Sequence, residues 1–209
     1  MTAQIMDTIV FEDQPWALAD ADWQAFREAV PSSLALGFET RMEHTANYSG
    51  RVDRYEVRGG RLYLDEAQVK LAEACSGFEP PRGMSRRDVT TRSWATVWDA
   101  YSEDLEGRDE LTELCLTYLG FDACLVPYTG TLVGGREFCP DLHVHGGYQR
   151  ANRFHRRLIL SFEAGHLIPQ ECRLEFGAES DAQANAERKF GRELMATLLG
   201  AAGLGRARH

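Results

Sequence analysis

Residues 48–65 read YSGRVDRYEVRGGRLYLD, and their alternation decides how the fold is read. Tyr55 and Val57 precede the pair Gly59-Gly60, Leu62 and Leu64 follow it, and mostly polar residues fall between. A period of two sends successive side chains to opposite faces of a strand. A glycine pair supplies the positive φ that a two-residue hairpin turn requires. The stretch therefore predicts an antiparallel hairpin, Tyr48–Arg58 returning as Arg61–Asp65. The sequence leaves open whether residues 67–74 prolong the second strand or turn into a short helix.

Working outward, further strands are predicted at Leu34–His44, Tyr128–Val133, Leu142–Tyr148 and Arg157–Glu163. After a turn at Ala164-Gly165 comes a partner over His166–Phe176, interrupted by Pro169. Val133-Gly134-Gly135-Arg136 reads as a turn. Helical spacing marks Asp20–Val30, with Asp20 or Asp22 as the cap, and Arg86–Tyr101. It also marks Asp109–Leu119, where Gly120 occupies a C-terminal cap position, and Asp181–Leu199. The expected class is α+β: a mainly antiparallel β-sheet with flanking helices. Tyr48-Ser49-Gly50 is echoed by Tyr128-Thr129-Gly130, and Arg61-Leu62-Tyr63 by His166-Leu167-Ile168, as two similar β-rich halves would show.

At 209 residues, 44% of them hydrophobic, the chain is expected to form one domain over residues 1–209, frayed at 1–10 and 201–209. A formal net charge of −9 disfavours binding to nucleic acid, which needs a clustered excess of Lys and Arg. No run of apolar residues reaches membrane-helix length and residues 1–10 lack a secretory pattern, so the expected location is the cytoplasm. Cys75, Cys115, Cys124, Cys139 and Cys172 make an odd set without a C-x-x-C pair and read as reduced thiols.

Tyr48-Ser49-Gly50, Gly60-Arg61-Leu62-Tyr63-Leu64, Tyr128-Thr129-Gly130-Thr131-Leu132 and His143-Val144-His145-Gly146-Gly147-Tyr148 carry a family likeness. The chain resembles a group of uncharacterised bacterial proteins in which a Tyr-Ser-Gly-Thr-Leu segment precedes a Val-His-x-Gly-Tyr strand and a closing hairpin. The resemblance spans residues 47–64 and 128–168. It implies a shared β-rich fold and brings no activity and no catalytic residues. Pro127 and Gly146 depart from the group's pattern, which has tryptophan and a larger apolar residue there.

One constellation has chemical content. Asp141, His143 and His145 alternate, so on an extended strand they leave one face, and a carboxylate with two imidazoles suits a divalent metal. Cys139 and His155 are candidates to complete the set. The same alternation describes the solvated face of a half-buried strand whose other face carries Leu142 and Val144. Trp94, Trp98 and Tyr101 form one stripe of the expected helix 86–101, serving the core or a recognition surface. Arg153 and Arg156, within the group Arg150, Arg153, Arg156 and Arg157, belong to a solvated loop or hold an anion. Nucleophile-elbow, phosphate-loop, dinucleotide and zincin motifs are absent from the sequence.

The leading expectation is a non-enzymatic cytoplasmic module that binds another protein through its sheet face or acidic surface, for example as an immunity or antitoxin-like protein. No cofactor is expected under that reading. The alternative is a metal-dependent hydrolase built on Asp141, His143 and His145 with His155 in support. A small-ligand binder using the space between sheet and helices is a third reading.

Overall fold

The computed structural model describes residues 5–42, 47, 49–97, 108–139 and 149–177; for 91–97 and 108–114 it describes the backbone. The strands, in chain order, are β1 (Thr8–Phe11), β2 (Gln14–Ala21), β3 (Arg51–Arg58), β4 (Arg61–Val69), β5 (Met84–Val97), β6 (Arg108–Leu125), β7 (Gly130–Phe138), β8 (Phe154–Glu163), β9 (His166–Leu167) and β10 (Arg173–Phe176). One α-helix, α1 (Trp23–Ala29), stands among the described residues. Residues 8–10 of the stretch expected to fray thus open β1, where Ile9 is fully buried.

All ten strands belong to one sheet, nine of them in the order β10-β8-β7-β2-β1-β3-β4-β6-β5 and β9 off this path. It is mixed: β1 and β3 run parallel, and the other pairs are antiparallel. The expected α+β class with flanking helices is therefore overturned by a single large mixed sheet. That sheet also closes on itself, because β9 pairs with β8 and, through Arg61 and His166, with β4. The seam is completed by hydrogen bonds from the Leu62 amide to the Gly165 carbonyl (2.9 Å) and from the Leu167 amide to the Gly60 carbonyl (2.8 Å). The two glycine-bearing hairpin turns, which echo each other in sequence, meet at this seam. Closure joins β8 to β4 through β9 and leaves β10 and β5 as the ends of the strand path; the ring encloses a core to which Ile9, Leu18, Tyr55, Leu64, Leu132 and Leu160 contribute, one from each of six strands.

The hairpin expected over residues 48–65 forms from Arg51, with Gly59 and Gly60 at φ +55° and +71°, and β3 and β4 pair from Arg51 with Val69 to Arg58 with Arg61. Residues 67–69 prolong β4, and a 3-10 turn follows at Glu73–Cys75. The expected helix over 20–30 is α1, capped by Asp22, whose carboxylate accepts from the Ala25 amide at 3.2 Å.

Two other helix expectations fail. Residues 86–97 lie in β5 and 109–119 in β6, paired throughout from Met84 with Phe121 to Val97 with Arg108. Val89, Thr90, Thr91, Thr96 and Val97 are β-branched and lose little on entering a strand. Long-range pairing then decides the matter, with the Asp88 carboxylate accepting from the Thr117 hydroxyl at 2.7 Å and the Arg87 guanidinium 4.5 Å from the Tyr118 ring centre. The strand expected over 34–44 is instead a turn through residues 33–37, where the Ser32 hydroxyl accepts from the Ala35 amide. Thr40 makes an isolated bridge with Leu71. The partner strand expected over 166–176 divides into β9, a 3-10 turn at Pro169–Glu171 and β10. The strand expected at 142–148 and the helix at 181–199 lie outside the described residues.

Gly134 and Gly135 are mid-strand in β7, not at a turn. A Cβ on Gly135 would come within 2.8 Å of Phe154 Cδ1, and one on Gly134 within 2.7 Å of Trp16 Cβ. The glycines let the aromatic rings lie on the strand backbone. Gly135→Ala should therefore cost roughly 1–3 kcal/mol by overpacking, measurable as a lower urea midpoint with an unchanged slope. A midpoint equal to that of the parent would show that Phe154 moves aside freely.

Candidate functional site

The barrel's interior is apolar except at the end covered by α1. Phe26, the buried residue of α1, lies between Tyr55 and Tyr128, with ring centres 5.1 Å away in both cases and edge-to-face geometry. The helix thereby plugs one mouth and leaves beside it a cavity of about 340 Å³. Its apolar wall includes Trp23, Phe26, Val30 and Pro31, and its polar wall Asp7, Arg27, Ser32, Ser33, Ser49, Arg51, Asp53 and Tyr55.

The polar wall is built by strand parity. Arg51, Asp53 and Tyr55 alternate on β3 and share the face of β3 that reaches the core. Arg51 Nε donates to Asp53 Oδ1 at 2.6 Å, and the Tyr55 hydroxyl donates to Asp53 Oδ2 at 2.9 Å. Both side chains of the Arg51–Asp53 ion pair are about nine-tenths buried, at 10% and 9% exposure. Arg51 Nη1 also donates to the Pro31 carbonyl at 3.0 Å and to the Ser33 hydroxyl at 3.3 Å, tying the segment after α1 to the barrel. Its Nη2 is buried without a hydrogen-bond partner among the described residues. Asp7, immediately before β1, accepts the Asp53 amide on Oδ1 at 2.8 Å.

Burial, followed by the charge on Asp53, pushes the Asp7 pKa up to about 7, against the pull of the Asp53 amide, Arg51 and Arg27. Burial and then the carboxylates of Asp53 and Asp7 hold the Tyr55 phenol well above its ordinary value, so it remains a donor. The wall thus presents a carboxyl that exchanges a proton near neutrality beside a salt-bridged guanidinium, an arrangement suited to recognising a polar ligand group.

The residues singled out from sequence lie elsewhere. Trp94 is on β5, in a strand where a helix was expected, while Trp98 and Tyr101 lie outside the described residues. Asp141, His143 and His145 are likewise outside. His155 is half-buried on β8, and Cys139 follows the end of β7, its amide donating to the Arg153 carbonyl at 2.8 Å. Among the described residues no group of three His, Cys, Asp or Glu side chains has metal-binding geometry. Arg153 ends a 3-10 turn, and Arg156 Nη1 pairs with Glu137 Oε1 at 2.8 Å across β7 and β8.

Comparison with family models, curated proteins and solved structures finds no match. No described helix is long and apolar enough to cross a membrane.

The sequence reading singles out neither Arg51 nor Asp53, because it follows the apolar positions of the hairpin. The signal is their parity: both share it with the apolar Tyr55 and Val57.

Proposed function

We propose that this chain binds a small molecule in the cavity beside α1, with Asp7, Arg51, Asp53 and Tyr55 as the recognising wall. The observation that carries the reading is a buried, mutually hydrogen-bonded Arg–Asp–Tyr group with Asp7 beside it, lining a cavity in an otherwise apolar barrel. Ligand sites combine a mostly apolar concavity with a few converging polar groups, and the mouths of barrels are a common place for them. A ligand that fits carries an apolar body against Trp23, Phe26 and Val30, and a head group rich in hydrogen-bond acceptors toward Arg27, Ser32 and Ser33.

The test is native mass spectrometry and thermal shift of the intact chain against small metabolites with polar heads and apolar bodies, beside Val30→Trp, which fills the cavity from its rim. Adducts that raise the parent's melting temperature and fail to shift the variant support the reading. Adducts that bind both proteins equally, or no adduct across such a set, overturn it.

A further inference from the structure

The β5–β6 hairpin runs past the barrel. β6 pairs with β4 only between Thr117 and Leu125, so over residues 108–116 its partner among the described residues is β5 alone. Nine residues at about 3.4 Å each make a ribbon roughly 30 Å long, and two strands by themselves are marginal in water. The outer edge of β5, fourteen residues long, forms no ladder among the described residues. A long edge of unpaired amides and carbonyls is a template for another strand.

We infer that this edge pairs antiparallel with the same edge of a second copy of the chain, about a two-fold axis at Thr90. Antiparallel partners must share a sheet face, so the axis passes through a residue position and each residue meets the one equally far on its other side. About Thr90, Asp88 stands opposite Arg92 and, by symmetry, Arg92 opposite Asp88. Val89 stands opposite Thr91, and the two Thr90 residues face each other. Opposite charges and paired threonines are favourable cross-strand neighbours. Other centres are worse: an axis at Val89 opposes Arg86 to Arg92, one at Asp88 opposes that acid to itself, and one at Arg92 does the same for the guanidinium. Within the chain Arg92 is in register with Glu113 and Asp88 with Thr117.

Sedimentation of the full chain over a range of concentrations should show a reversible dimer, weakened tenfold or more by Arg92→Asp, which sets two acids opposite each other. A parent that stays monomeric, or an Arg92→Asp chain that dimerises like the parent, overturns the inference. Register is read independently by cross-linking. The Thr90 hydroxyl lies 3.4 Å from Cys115 Sγ, so Thr90→Cys is made in a Cys115→Ser chain to prevent an intrachain bond. Directly opposed residues of antiparallel strands have Cα atoms about 4.5–5.5 Å apart, within disulfide reach. Thr90→Cys should therefore give a disulfide dimer under mild oxidation, whereas Ser85→Cys, opposite Ala95, should not. Equal cross-linking of both chains overturns the axis at Thr90.

Discussion

Gly50→Ala is expected to destabilise the protein by about 3 kcal/mol or more. Gly50 has φ +65°, a region costly for any residue with a Cβ, and that Cβ would overlap the Arg41 carbonyl oxygen and approach its carbon to 2.7 Å. The obstacle is backbone and cannot rotate away. It is also held in place, since the Gly50 carbonyl accepts the Lys70 amide at 2.7 Å and the Arg41 amide donates to the Lys70 carbonyl at 2.9 Å. Movement would disturb the entry to β3 and with it Arg51. Gly59→Ala is the control: its φ is +55°, yet nothing lies within 4 Å of the added methyl, so only the smaller conformational cost remains. Urea unfolding of the two variants decides the point. A Gly50→Ala loss no larger than that of Gly59→Ala would mean that the Arg41 segment yields.

The second large effect concerns Asp7. Its pKa rises from 3.8, the value of an ordinary aspartate, to about 7 in the folded chain. The native state therefore holds more protons than the unfolded state between these values, and stability falls as pH rises through the window. Below about pH 4 both states are protonated and the native state keeps the full benefit; above about pH 7 it has been lost. The shift corresponds to a term on the order of 4 kcal/mol. Asp7→Asn keeps an amide oxygen for the 2.8 Å bond from the Asp53 amide and removes the titration. The variant should match the parent near pH 4 and exceed it by several kcal/mol at pH 8. Subtracting the two pH–stability curves cancels the remaining ionisable groups. A flat difference curve would show that Asp7 is not the group that titrates.

The consequence reaches the proposed site. Below about pH 7 protonation of Asp7 removes one negative charge from the wall that carries Arg51 and Arg27. Ligands with acceptor groups then gain over ligands with donors, and pH alters binding and stability through the same carboxyl.

By itself the sequence determined the local pieces whose signals are local. The hairpin at Gly59-Gly60 follows from positive φ and a period of two, α1 from the Asp22 cap, and β8 from its run of alternating and buried positions. Tertiary structure decided everything that depends on partners distant in the chain. The leucines of β6 satisfy a helical spacing as readily as a strand, and only pairing with β5 and β4 makes them strand. Closure rests on β9, whose return after Ala164-Gly165 is legible in sequence as a partner of β8, whereas its pairing with β4 is recognisable only where His166 meets Arg61. The site has the same origin. Arg51 and Asp53 look solvated along the chain, because polar residues on a hairpin usually face water. They are buried because barrel curvature turns their face of β3 inward, α1 covers the mouth, and each finds in the other, in Tyr55 and in the Pro31 carbonyl the partners that burial demands.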